Sequence, residues 1–174
     1  MAHRQEAYIE VMAASTLARR TLVLALAGLV AACSTGTPTT FGVVGASVDT
    51  AYTCPFGANN APYDLHGIVE VRNGTSSSVT IRSIGAVLTL AAVHGTWLER
   101  VGSTYDAGGV TFTPASVAAG RSTSLKLTIP SFCTNGKTPG NATSYGEYSV
   151  TLTITASTGT YRVVSGNHHR IIPA

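Results

Sequence analysis

From Glu147 to Ala156 apolar and polar positions alternate without a break. Tyr148, Val150, Leu152, Ile154 and Ala156 share one face, and Glu147, Ser149, Thr151, Thr153 and Thr155 share the other. A period of two is that of a strand with one dry and one wet side. Ser157-Thr158-Gly159 predicts a turn, and Thr160 to Ser165 a returning strand, so the pair reads as a hairpin. The same alternation sets Leu125, Leu127 and Ile129 against Ser124, Lys126 and Thr128, with Pro130 expected to close that strand. Ile68 to Arg72 is a further strand, ended by the turn signal Asn73-Gly74. In the next one Val79 and Ile81 have one parity while Ile84, Ala86, Leu88 and Leu90 have the other. A one-residue slip near Ser83 and Gly85 predicts a β-bulge that lets both halves face the core. Val43 to Thr53, Trp97-Leu98 and Val110-Thr111-Phe112 complete the expected strands, and no helical stripe appears in this part of the chain. About seven or eight strands, apolar on one face, predict an all-β antiparallel sandwich of two facing sheets; a small barrel would bury the same faces.

Composition supports strands and narrows function. From Cys33 onward, 23 Thr and 15 Ser accompany all 7 Pro, a mixture that favours strands joined by tight turns. Charged residues are only 11 % of the 174, and the formal net charge is +3. Arg4, Arg19, Arg20, Glu6 and Glu10 precede Cys33, which leaves 8 basic and 6 acidic residues after it, Lys126 and Lys137 being the only lysines. A nucleic-acid surface needs several Lys and Arg clustered to displace counterions, so nucleic acid is not an expected partner.

The first 32 residues read as an address. Arg19-Arg20 precede Leu22 to Ala32, an uncharged run of 11 residues. That is about half of what a bilayer-spanning helix needs and suits the apolar region of an export signal. Val30-Ala31-Ala32-Cys33 resembles the lipobox of bacterial lipoproteins. The resemblance implies cleavage before Cys33, a diacylglycerol on its thiol, and a protein held at the bacterial cell envelope outside the cytoplasm. The absence of Asp after Cys33 further resembles the pattern sent onward to an outer membrane. Met1 to Val11 carries two glutamates, unlike a positive leader, and Met12 offers a better start. Domains are therefore expected as a signal peptide over 1–32, a lipidated N-terminus and Thr/Gly/Pro tether over 33–41, and the sandwich over 42–174.

Val69-Glu70-Val71-Arg72-Asn73-Gly74-Thr75, then Val117 to Leu125, then Tyr148-Ser149-Val150-Thr151-Leu152 resemble steps of the immunoglobulin-like or fibronectin-type domains of secreted bacterial envelope proteins. That likeness implies an immunoglobulin-like topology. The antibody-type Cys…Trp…Cys spacing is missing, since Trp97 follows Cys54 by 43 residues.

With Cys33 acylated, Cys54 and Cys133 form an even pair, which in an exported protein is most simply a disulfide. Both adjoin turn residues, so the bridge is expected to pin the loops Asn59–Pro62 and Lys137–Ser144 to one part of the scaffold. There is no C-x-x-C and no basic neighbour, which argues against redox chemistry.

Catalytic signals are thin. His168-His169 are adjacent, so in a strand they point to opposite faces and do not easily share one ion; a metal site would need His66 or His94 beside one of them, and ordinary edge histidines are the expectation. No serine lies in a G-x-S-x-G turn, and Gly136-Lys137 lacks the glycine frame of a phosphate loop. Asn73-Gly74-Thr75 and Asn141-Ala142-Thr143 match a glycosylation acceptor, a coincidence under the bacterial export that the lipobox resemblance implies. No cofactor, metal or catalytic residue is expected. Tyr63, Tyr105 and Tyr145 lie in or beside loops, where an amphipathic ring can stack on a sugar or a protein. The expected role is non-catalytic: binding or structural support at the envelope, with an envelope protein or carbohydrate as partner. Two alternatives stand beside it, an envelope hydrolase with a shallow cleft at Asp64, His66 and Glu99, and a soluble secreted module.

Overall fold

A computed structural model of the chain describes residues 39–135 and 144–173. The signal, Cys33, most of the tether and the segment 136–143 lie outside these residues. Eleven strands run in chain order: β1 (Phe41–Val48), β2 (Ala51–Cys54), β3 (Ala61–Asn73), β4 (Val79–His94), β5 (Thr104–Asp106), β6 (Thr111–Thr113), β7 (Ser116–Val117), β8 (Ser122–Cys133), β9 (Tyr145–Ala156), β10 (Gly159–Val164) and β11 (His169–Pro173). One sheet has the order β1-β3-β8-β6. The other runs β2-β11-β9-β4-β5, with β10 also on β9 and β7 on β4. The two sheets make the all-β sandwich that the alternation predicts. The strand number exceeds the expected seven or eight because β2, β5, β6 and β7 are only two to four residues long. No described helix is long and apolar enough to cross a membrane.

The core lies between the inward faces of the four longest strands. Leu65, Val69 and Val71 of β3 and Leu125, Leu127 and Ile129 of β8 meet Ile84, Ala86, Leu88 and Leu90 of β4 and Val150, Leu152 and Ile154 of β9, all buried. The parity slip in β4 is real. Ile81 faces Ala156 and Ser83 faces Thr155, so Arg82 is the extra residue, and both Ile81 and Ile84 reach the core.

The first strand changes sheets. β1 runs antiparallel to β3, the chain crosses at Asp49-Thr50, and β2 then runs parallel to β11. Residues from Ser165 to Arg170 hold the crossing. The Asn167 side-chain amide donates to Val48 O at 2.7 Å and accepts from Val48 N–H at 3.0 Å, so one side chain replaces a missing ladder partner. The N–H of Gly166 donates to Ala46 O, and that of Arg170 to Thr50 O.

Several expectations need correction. β3 starts at Ala61, seven residues before Ile68: Tyr63 and Leu65 already face inward, and Gly67 hides the alternation because it has no side chain to count. Pro130 does not close β8, which runs on to Cys133. β6 pairs with β8 only as far as Thr128, so at Pro130 that side of the strand has no neighbour expecting an N–H. Trp97-Leu98 is not a strand but part of the β4–β5 loop. Val43 to Thr53 is two strands, in different sheets.

Candidate functional site

Cys54 and Cys133 are bridged. Cys54 ends β2 in one sheet and Cys133 ends β8 in the other, so the bond ties the two sheets together at one end. Pro62, expected in a pinned loop, belongs to β3, while 137–143 lies outside the described residues. Asn135 adds a second tie, its side-chain amide donating to Cys54 O at 3.0 Å.

Beside this bridge the sheets leave a cavity of about 230 Å³. Its walls come from β3 (Tyr63), β8 (Ser131 to Cys133), β5 (Tyr105) and β9 (Tyr148), and the β4–β5 loop supplies Trp97, Leu98 and Glu99. Trp97 can lie there because β9 has a glycine below it. A Cβ on Gly146 would come within 2.6 Å of the indole. The indole Nε1–H donates to Tyr148 Oη at 3.3 Å, and Tyr148 Oη donates to Glu99 Oε2 at 2.8 Å. This relay fixes the ring and aims a carboxylate at the mouth. Burial pushes the Tyr148 hydroxyl above its ordinary pKa, and its bond to Glu99 adds to the rise, so it stays a donor at any physiological pH.

The inner wall is polar where alternation would place an aliphatic side chain. Ser131 continues the inward series of Leu125, Leu127 and Ile129, and it is 2 % exposed. Burial raises the pKa of the Tyr63 phenol, and the nearby Ser131 Oγ acts in the opposite sense. That Oγ nevertheless makes no hydrogen bond of sound geometry, the one such buried side-chain atom among the described residues. Tyr63 stacks on Tyr52 with ring centroids 3.9 Å apart and meets the buried His169 through its hydroxyl at 3.0 Å. His169 Nδ1 faces Asp49 O at 2.8 Å, and a carbonyl only accepts. Nδ1 therefore carries the proton and Nε2 accepts from Tyr63. Desolvation lowers the imidazole pKa and keeps this neutral form. Leu98 and Phe132, both exposed, rim the mouth.

The candidates read from sequence scatter. Tyr63 is an inward-facing wall residue rather than a loop tyrosine, because β3 begins before it. Tyr105, half-buried in β5, lines the cavity and meets Phe132 edge-on. Tyr145 is on the outer face of β9, stacked on His94 at 4.2 Å with the Arg170 guanidinium 5.2 Å from its ring centre. Asp64 and His66 point outward from β3, where His66 Nδ1 is 3.2 Å from Asp49 Oδ2, whereas Glu99 is at the cavity bonded to Tyr148. The three-residue cleft of the hydrolase alternative is therefore not formed. His168 is outward, 3.5 Å from Glu147, and His169 is inward, as their adjacency requires. No group of three or more His, Cys, Asp or Glu among the described residues could hold a metal ion. Sequence reasoning missed Trp97, Ser131 and Phe132. A serine in an inward slot of an otherwise aliphatic series was the available signal.

No protein-family model matches the chain, and no curated protein matches it. Among solved structures it is similar to AggA, the major subunit of the Escherichia coli aggregative adherence fimbriae type I, with 12 % identity over 77 % of this chain and 95 % of that one, at a TM-score of 0.33. It is also similar to a PapD-like domain of human CEP192, with 12 % identity over 76 % and 87 %, at 0.30. For the Vibrio cholerae VesB protease the identity is 11 % over 73 % of this chain but only 31 % of the protease, at 0.26. At such scores these likenesses carry no argument about activity or partner.

Proposed function

We propose that this chain is an exported, non-catalytic binding module of the bacterial cell envelope, an immunoglobulin-like sandwich whose ligand site is the cavity beside its disulfide. The observation that carries the reading is that cavity: preformed, rich in aromatic rings, with a few polar groups aimed into it and one of them lacking a partner. The strand order β1-β3-β8-β6 against β2-β11-β9-β4-β5, with the first strand split between sheets, supports the immunoglobulin-like topology. The bridge between Cys54 and Cys133 supports export, since such bonds persist in oxidising compartments. Export fits both a form anchored through Cys33 and a released one; the lipobox-like Val30-Ala31-Ala32-Cys33 favours the anchored form.

The geometry favours binding over catalysis. Among the described residues Glu99 is the only acid at the cavity, and no base or nucleophile is paired with it there. The test is to titrate a panel of small neutral and charged fragments into ¹⁵N-labelled protein. Saturable amide shifts grouped on Tyr63, Trp97, Ser131 and Tyr148 are expected. Fragments that bind elsewhere, or none that bind, would overturn the assignment of the cavity as a ligand site.

A further inference from the structure

We propose that the cavity takes a small organic cation, an ammonium bearing a hydroxyl group, with the positive head at Glu99 among the aromatic rings and the hydroxyl directed to Ser131. This rests on the binding reading above and names the ligand chemistry of the same site.

Charge comes first. The chain is net positive by 3, yet among the described residues no Lys, Arg or His side chain lines the cavity, and the one carboxylate that does is Glu99. Among the described residues no basic nitrogen lies within ion-pair distance of that carboxylate. Its Oε2 accepts the Tyr148 hydroxyl. Among the described residues an anionic ligand would meet a carboxylate with no cation to offset it, so a cation is the complementary partner.

The rings point the same way. Tyr63, Trp97, Tyr105, Phe132 and Tyr148 surround the space, and aromatic faces attract cations, indole most strongly. Trp97 is held by Gly146 beneath it and by Tyr148 at its N–H, so its ring needs little ordering when a ligand arrives. Size sets a limit. About 230 Å³ is below the range of drug-sized sites, which fits a ligand of a few heavy atoms. The buried Ser131 Oγ, near the Tyr63 hydroxyl but without a hydrogen bond of sound geometry, supplies the reason for a hydroxyl: a ligand O–H at that wall would satisfy it.

The experiment uses Trp97, the only tryptophan in the sequence, as its own reporter. Choline is titrated against its neutral isostere 3,3-dimethyl-1-butanol at constant ionic strength, and Trp97 emission is followed in the wild type, Glu99→Gln and Ser131→Ala. The account expects choline to bind about tenfold more tightly than the alcohol, the size of a well-placed cation–π contact backed by a carboxylate. Glu99→Gln keeps an acceptor for Tyr148 and should reduce that preference to what the aromatic rings alone supply, while Ser131→Ala should weaken both ligands alike. Equal binding of the two ligands would overturn the cation assignment and leave the cavity as a binding site. A preference for choline that is undiminished in Glu99→Gln would overturn the placing of the cation at Glu99. Failure of both ligands, with the fragment panel still mapping to the cavity, would reject this ligand class alone; failure of the panel as well would reject the site.

Discussion

Asn73 is the residue whose removal the fold should feel most clearly for its size. It reads in sequence as the first half of a turn, but it is fully buried. Its Nδ2 donates to Ser77 O at 2.8 Å and Val117 O at 2.9 Å, with a longer bond to Ala118 O at 3.2 Å. Its Oδ1 accepts from the N–H of Thr75 at 3.0 Å and the hydroxyl of Thr75 at 2.7 Å. One amide thus fastens the β3–β4 turn to the end of β7 and the residue that follows it. In Asn73→Ala the Thr75 hydroxyl, freed from Asn73, turns its one proton to Ser77 O, while Ser78 and Arg121 still donate to Val117 O and Ala118 O, so no orphan-acceptor penalty is added. The loss is then about three net hydrogen bonds at about 1 kcal/mol each, or about 3 kcal/mol. For a domain of this size that lowers Tm by about 10 °C. Asn73→Asp decides which half of the amide matters. It retains the acceptor for Thr75, but it replaces two donors with a carboxylate facing three carbonyls, and at neutral pH it should be less stable than Asn73→Ala. Urea unfolding and calorimetry measure both. If Asn73→Asp matches the wild type, or Asn73→Ala costs under about 1 kcal/mol, the clamp is an ordinary turn and the reasoning fails.

Three further outcomes follow from the geometry. Gly146→Ala sets a methyl 2.6 Å from the Trp97 ring, so the indole should leave Tyr148, its emission should shift to the red and stability should fall by about 1–3 kcal/mol; an unchanged spectrum would contradict the contact. His169 is held neutral with its pKa depressed by burial, so below an ordinary value of about 6.5 the unfolded chain takes up the proton first. Stability should therefore fall as pH drops from about 7 until the lowered folded-state pKa is passed, at up to about 1.4 kcal/mol per pH unit, and His169→Phe should flatten that part of the profile. Removing the bridge in a Cys54→Ala/Cys133→Ala variant opens a loop of 79 residues and should cost about 4 kcal/mol in denaturant unfolding, an upper-range figure; a cost under about 1 kcal/mol would mean that Asn135 and the strands hold that end unaided.

Strands were legible wherever period-two alternation was unbroken by small residues. β9 and the first half of β8 follow it position by position, and the slip at Arg82 announced itself because both parities carried branched aliphatics. The start of β3 did not, since Pro62 and Gly67 look like loop residues until pairing with β8 shows that Tyr63, Leu65 and Val69 form one inward row. Trp97-Leu98 misled in the opposite sense. These residues are apolar and strand-prone but have no ladder to join, and they serve as a wall over Gly146. The Cys54–Cys133 pairing could be read from count and compartment. Its position between sheets could not, because that depends on the first strand changing sheets at Asp49-Thr50. The cavity was least legible of all. Its walls come from six strands and the loops beside them, and only tertiary assembly brings Ser131, Trp97 and Glu99 together.

The central claim, an exported and disulfide-closed module, is tested most directly by the intact mass of the protein recovered from the membrane fraction of a bacterial host, measured with and without reduction before alkylation. The account predicts a chain beginning at Cys33 with a diacylglycerol-sized excess, and alkylation of Cys54 and Cys133 only after reduction. An uncleaved chain in the cytoplasm with both thiols open to alkylation before reduction would contradict it.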